Sequence, residues 1–572
     1  MTRRICAHPL AAFLLFFATA AWSGHGATAG DDPVTAASGA MRAQDFLDTV
    51  TTLSSDDFEG RSVGTHGGQK TEDWIVAQFR RIGLAPGGSD GSYLQAVPLM
   101  GHRSVPLASV HIGTQRIGLR SPEDYVAWSF ERKSRVDLKD SELVFVGYGV
   151  VAPEYGWDDF KGADLRGKTL VVLINDPQIP DPQDPSRLDP SMFKGKAMTY
   201  YGRWTYKYEK AVELGAAAVL IVHETRTAAY PWSVVVNSNS KENFDLDLGG
   251  PDTHFPPVSG WITTDKAREV FRAAGKDFDA LKQSALRRDF RPVALGARLD
   301  VMVDKMTRNL AAHNIIGRIE GSDPKLREEV VIYSAHWDHL GWDPGIPGTK
   351  HDQVFHGAVD NASGVASILE LAKAFKALPV PPRRSILFIA VAAEERGLLG
   401  AQYYATHPVV PLARTLADIN IDGMNMWGPT RGIEVVGYGS SDLEDILARE
   451  AAAQGGRQVI PDLFPEHGGY FRADHFEFAK AGVPALYTKG GGEYIGKPAD
   501  YGPKVVEDFV SNRYHKPADV VLPGWDLSGT LQDLDLLFRT GLDVAQGERY
   551  PQWRDTSEFK AARERMMAGV GR

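Results

Sequence analysis

Apolar positions along the chain change their spacing twice, and each change marks a different architecture. From Ala43 to about Leu53, and again from Gly68 to Ile82, the chain reads as helix, with Trp74, Ile75, Phe79 and Ile82 on one stripe and Gly83 placed to end the second helix. Between about Ser134 and Arg291 the pattern shortens to β-like runs, Glu142 to Tyr148, Thr169 to Ile174 and Ala218 to Val222, with one clear helix from Tyr206 to Leu214. From Asn314 onward strands and helices alternate. Strands are expected at Glu329 to Ala335, Ser385 to Ala392, Leu416 to Ile421 and Val483 to Thr488, and helices at Ala362 to Leu378, Leu398 to Thr406 and Ser441 to Gln454. That rhythm predicts an α/β domain whose mostly parallel sheet is sandwiched by helices. The strand-rich stretch 134–291 reads as an insert that splits the main domain into 43–133 and 292–548. Residues 549–572 read as a tail, a surface helix or partly disordered.

Length and charge narrow the classes. A chain of 572 residues exceeds one compact domain. Lys+Arg 63 against Asp+Glu 73 gives 63 − 73 = −10, which argues against a broadly basic face for nucleic acid or anionic membrane. The single cysteine, Cys6, can form neither an internal disulfide nor a zinc finger, so any metal must be held by His, Asp and Glu. Arg3 and Arg4 precede the apolar run Pro9 to Trp22, and Ala27-Thr28-Ala29 follows with small residues. This reads as a cleavable secretory signal over residues 1–29, since the run is shorter than the ~20 apolar residues of a membrane span. The expectation is a secreted or periplasmic protein without membrane insertion after cleavage.

In open α/β sheets ligands gather where strands end. Metal-competent residues fall at those places: His336, Asp338 and His339 after the first strand, Asp360 where the next helix opens, Glu394 and Glu395 after the next strand, Asp422 after another, and His515 far downstream. Singly each is an ordinary polar residue. Together, two imidazoles and three carboxylates form an oxygen and nitrogen cage suited to two Zn²⁺ ions, with a carboxylate bridging them. Glu394 and Glu395 are adjacent, so if one is drawn onto metal the other points elsewhere and can act as a base toward water. Asp338, two residues beyond His336, can lie on the same side of an extended chain and accept its imidazole N–H. His339, His351 and His356 lack such a rationale and read as surface or loop histidines. Gly87-Gly88-Ser89-Asp90-Gly91 satisfies the serine-hydrolase spacing but lacks the strand and helix a nucleophile elbow requires. Gly147-Tyr148-Gly149 nearly opens a dinucleotide loop, but Pro153 leaves no helix start behind it.

The residues stand in five motifs: AHWDHLG (335–341), GAVDNASG (357–364), AAEERGLLG (392–400), NIDGMN (420–425) and YHKPAD (514–519). In that order they resemble the co-catalytic dinuclear-zinc exopeptidases, metallopeptidase family twenty-eight. EGRSVGTHGG (59–68) and GSYLQAVPL (91–99) resemble the lead-in of its secreted members, and 134–291 resembles the protease-associated domain found within many of them. The resemblance implies His336 and Asp422 on one zinc, Glu395 and His515 on the other, Asp360 bridging both, Glu394 as general base and Asp338 behind His336. Tyr470, Asp474, His475 and Tyr514 fall where the family places pocket residues and are candidates for substrate contact, the first three alternatively for loop support. The implied activity is hydrolysis of peptide bonds through a water activated by two zincs, with an aminopeptidase as the first reading. A carboxypeptidase, a single-zinc cyclase or amidohydrolase, and a non-catalytic receptor-like relative remain as alternatives. A carboxypeptidase should present an arginine to the terminal carboxylate, and the sequence leaves Arg472 and Arg513 equally open.

Overall fold

Two short runs, VVIYSAH at Val330–His336 and SILFIAV at Ser385–Val391, are buried at every position and lie side by side as parallel strands. Thr415–Asn420 pairs in parallel with the first of them, and Ala485–Gly490 pairs in parallel with Thr415–Asn420. A parallel strand must be covered on both faces, and the side chains divide accordingly. Val331, Tyr333 and Ala335 pack with the Ser363–Ala377 and Ser528–Gln546 helices, whereas Val330 and Ile332 pack with Ala401, Tyr404 and Phe478 on the other side. The register sets His336 opposite Val391 and Ser334 opposite Asn420, so the carboxyl ends of three strands reach one edge together.

This computed structural model describes residue 1, residues 32–249 and residues 255–569. The leader expected over residues 1–29, Met1 apart, lies outside the described residues, and so does Cys6. Within them no helix is long and apolar enough to cross a membrane.

Two strands far longer than the sequence pattern suggests organise the rest. Leu94–Ile112 pairs antiparallel with Val293–Ile319, in a register that runs from Leu94 opposite Ile315 to His111 opposite Arg298. Pro98, Gly101 and Pro106 interrupt the apolar alternation of the first strand, which hides it from a pattern search. Val293–Ile319 also pairs with Arg135–Phe145, and through that ladder the sheet continues into parallel strands Thr169–Leu173, Ala218–His223 and Val258–Thr263. The core of this second region draws Val110, Leu119, Leu299 and Val303 from outside 134–291, so that stretch is packed into shared sheet rather than hung on a linker.

The stretch holds more helix than the sequence suggests. Besides Trp204–Glu213 it forms Trp232–Asn239, Thr264–Ala273 and Phe278–Ser284. Caps that a closer reading could have found start the last two: Thr263 accepts from Lys266 N at 3.3 Å and Asp277 from Ala280 N at 3.0 Å. Trp232–Asn239 is rich in valine, and only its packing makes it helical. The tail is also docked. Lys560–Ala568 is a helix whose buried Arg563 donates to the carbonyls of Leu412 and Thr415.

Gly541 lies where the Ser528–Gln546 helix crosses beneath the strand that ends at His336. A β-carbon there would stand 1.8 Å from the Tyr333 hydroxyl and 2.6 Å from its Cζ, while that hydroxyl donates to Leu537 O at 2.8 Å. Alanine favours helices, but the overlap is with a buried ring in a packed core. Gly541→Ala is therefore expected to destabilise by ~1–3 kcal/mol, measured by urea unfolding; a midpoint at or above that of the parent would contradict this packing.

Candidate metal centre

Each side chain of the centre is delivered by an element whose shape follows from its sequence. His336 is the last residue of its strand. Asp360 sits in the short turn that precedes the Ser363–Ala377 helix. Ala393 and His515 are non-glycine residues with φ of 55°, a left-handed conformation that L residues seldom adopt and that concentrates at functional sites. Ala393 thereby turns Glu394 and Glu395 in different directions immediately after the strand ends.

Asp360 joins two groups of donors. Its Oδ1 lies 3.2 Å from His336 Nε2, which is also 3.3 Å from Asp422 Oδ1. Its Oδ2 lies 3.3 Å from His515 Nε2, which is 3.1 Å from Glu395 Oε2. Donor atoms of His336, Asp360 and Asp422 converge within 4.8 Å of one another, as do those of His339, Asp360 and Glu395. Glu394 stands aside from both groups, with Oε2 3.9 Å from His336 Nε2. The six residues expected as ligands and base are therefore brought together.

Four largely buried carboxylates meet here, Asp360, Glu394, Glu395 and Asp422, with side chains 1–19% exposed. Among the described residues their ion-pair partners are imidazoles, with no lysine or arginine bridged to them. Burial would raise the Asp360 pKa, but hydrogen bonds from His336 and His515 hold it well below the usual carboxylate range. Burial likewise works against Glu395, and His515 and His339 outweigh it to lower its pKa. The reverse holds for Glu394, which burial pushes well above its ordinary value, with Glu395, Asp422 and Asp474 adding and His336 opposing. Burial lowers the His515 imidazole, yet Glu395 and Asp360 raise it to about 10. In the absence of a cation the imidazoles must carry the compensating protons, so the donor set fits divalent metal, which would displace those protons.

Several expectations are corrected. Asp338 does not accept from His336 through its carboxylate: its main-chain carbonyl takes that contact at 3.1 Å, and the carboxylate is 3.9 Å away, accepting from Glu394 N at 3.0 Å. It positions the base as well as the imidazole. His339 is no surface histidine; it is fully buried, with Nδ1 on Glu395 Oε1. His356 is buried too, its Nδ1 donating to Pro517 O at 2.8 Å and its Nε2 meeting Asp56 Oδ1, while His351 is exposed on the same carboxylate. Asp474 and His475 are fully buried, and with Tyr470 they lie behind the cavity wall rather than in it. Tyr514 does line the cavity, with its ring stacked 3.9 Å from that of His515. Arg472 lines it as well, whereas Arg513 pairs with Asp508.

Two contributors escaped the sequence reading. Arg61 is fully buried and donates to four carbonyls: Leu53 and His356 at 2.7 Å, Gly357 at 2.9 Å and Trp337 at 3.0 Å. It thus ties the loops after His336 and before Asp360 together. Burial pushes its guanidinium down to about 10, resisted by Asp519, Asp360, Asp338 and Glu395. Ser238, from the Trp232–Asn239 helix, holds His515 Nδ1 at 3.0 Å, and Asn237 donates to His515 O at 2.9 Å. A partner on the far nitrogen fixes which nitrogen of a ligating histidine is free. The one legible signal was the EGRSVG motif around Arg61; nothing in the sequence marks Ser238.

Residues 314–535 match the family described as Peptidase family M28. Aminopeptidase YwaD of Bacillus subtilis (strain 168) is 31% identical over 182 residues, 31% of this chain and 36% of that protein. A protein named probable zinc metalloprotease from Pyrenophora tritici-repentis (strain Pt-1C-BFP) is 48% identical over 108 residues, 19% of this chain and 23% of that protein. The chain spans about a third or less of the length of the curated relatives it matches. The solved aminopeptidase from Aneurinibacillus sp. strain AM-1 superposes with a TM-score of 0.52 at 20% identity, covering 90% of this chain and 96% of that one, which establishes a shared fold.

Arg61→Met would remove every one of these donors and leave four main-chain oxygens unpaired in the interior. The expected loss is ~3–5 kcal/mol, read from chemical denaturation, and Arg61→Lys should not restore it because an ammonium cannot span the four acceptors. A loss under ~1 kcal/mol would remove Arg61 from this role.

Proposed function

We propose that the chain, whose residues 314–535 belong to Peptidase family M28, is a zinc-dependent exopeptidase that releases residues from the amino end of peptides. The observation that carries this reading is the pair of donor groups sharing Asp360, with Glu394 left over beside them. Imidazole and carboxylate are zinc donors, and a carboxylate with one oxygen toward each group is the arrangement that holds two ions. His336 and Asp422 would hold one zinc, Glu395 and His515 the other, and Asp360 both. Zinc bound there would polarise the scissile carbonyl and lower the pKa of water.

The chain's own residues then do the following. Glu394, with its proton affinity raised by burial, takes a proton from the attacking water and returns it to the leaving amine. Asp338 fixes Glu394 through its main-chain N–H. The Tyr487 hydroxyl donates to Asp422 O at 2.9 Å and steadies that loop. A cavity of about 260 Å³ opens beside the centre, and Met424, Trp427, Leu463, Phe464, Val506 and Phe509 give it apolar walls for a large side chain. Glu434 and Asp462 share that wall with Lys489 and Arg472, and the preference for aminopeptidase over carboxypeptidase action is supported by the aminopeptidases among the relatives. The complete donor set argues against a receptor-like relative. The basic and apolar residues ahead of Ala29 support secretion, and the glycine and strand rhythm of 134–291 supports a protease-associated insert, one of whose helices holds His515.

Glu394→Gln should retain zinc and lose ~10²–10⁴ in turnover, measured on an amino-acyl anilide; near-normal hydrolysis would remove Glu394 as the base. Asp360→Asn should bring the metal content by elemental analysis from two zincs per chain to one or none, and two retained ions would show that Asp360 does not bridge. Blocking the substrate's amino group should protect it.

A further inference from the structure

A second cavity, of about 100 Å³, meets the larger one at Glu394, Arg472, Tyr514 and His515. Its wall carries three arginines, Arg203, Arg396 and Arg472. Arg396 donates to Ser238 O at 2.7 Å, and Arg472 donates to Ala228 O at 2.8 Å and covers the Tyr230 ring at 4.8 Å. The buried Nε of Arg472 has no hydrogen-bond partner. Arg203 lies 4.9 Å over the Trp204 ring. Among the described residues no carboxylate forms a salt bridge with any of the three, and the acids in the same wall, Glu394 and Glu395, belong to the metal centre. Burial, followed by repulsion from Arg472, lowers the Arg203 pKa to about 10.

Guanidinium groups gathered away from bulk water without an anion are unfavourable, and their planar fork matches a carboxylate. We propose that this cavity receives the free carboxylate of the residue on the leaving side of the scissile bond, so that dipeptides are preferred substrates. The inference rests on the exopeptidase reading. The first residue would place its side chain in the apolar cavity. The second would enter the small cavity, whose wall Trp128, Phe130 and Trp261 share with the arginines. The chemistry balances as hydrolysis: the peptide C–N bond breaks, water oxygen joins the carbonyl carbon to complete a carboxylate, and both water protons end on the leaving nitrogen as an ammonium, giving two zwitterionic amino acids.

The test compares leucyl-leucine with leucyl-leucinamide on the zinc-loaded protein. The free acid should be cleaved with a KM about tenfold or more below that of the amide, and leucyl-leucyl-leucine, whose carboxylate stands one residue further out, should lack that advantage. Arg203→Met should raise the KM for the acid by a similar factor and raise that for the amide much less, so that the acid-to-amide ratio collapses. Arg203→Lys should recover part of the difference, which a merely structural arginine would not explain. Amide and acid cleaved alike, or both lost equally in the variants, would overturn the subsite. Calorimetric binding of the two ligands to Glu394→Gln separates the two readings: a preference for the acid without any turnover by the parent protein would retain the subsite and sink the peptidase, whereas equal binding would sink the subsite whatever the turnover.

Discussion

Four carboxylates are packed into the interior around three imidazoles, and the need to neutralise them governs this end of the molecule. In a low-dielectric interior such charges repel strongly unless each has a partner. Asp360 is the pivot, because each of its oxygens faces a different imidazole. Moving it would uncouple both halves of the centre. Glu394, by contrast, is in direct reach of only His336, and at 3.9 Å, which is why burial raises its proton affinity while Glu395 next to it is held ionised. Adjacent residues with opposite shifts are what a site needs when one must bind a cation and the other must carry a proton.

The scaffold around this charge is built to resist relaxation. Three parallel strands end in register, so the loops that follow start from a common edge. Arg61 binds carbonyl oxygens at both ends of the connection between His336 and Asp360 and at the end of the helix Ala43–Leu53, and Asp519 accepts from the amides of Val359 and Asp360. The main chain around Asp360 is thus held from both sides by groups more than 150 residues distant in sequence. Such fixing is what keeps like charges together when repulsion would splay them.

The stretch 134–291 takes part in the same arrangement. Its shared sheet with Leu94–Ile112 and Val293–Ile319 fixes its position, and its Trp232–Asn239 helix reaches His515. Two cavities touch at Glu394 and His515, one lined largely by apolar side chains and one carrying three arginines.

The sequence determined the alternation of strands and helices after Asn314 and which His, Asp and Glu side chains stand at the strand ends. Period and burial are local properties of the chain, and the donors follow directly from the ends of strongly apolar strands. It also ruled out sulfur ligands. It did not reveal the long antiparallel ladder, because Pro98 and Pro106 break the local pattern and only pairing with Val293–Ile319 makes that segment a strand. The extra helices of the insert, the burial of His339 and His356, and the retreat of Tyr470, Asp474 and His475 behind the cavity were likewise settled by packing. Arg61, Ser238 and the cluster of arginines belong to the same class. Each acts across hundreds of residues on a main-chain atom, a ring nitrogen or a shared cavity, and such relations exist only once the chain has closed on itself.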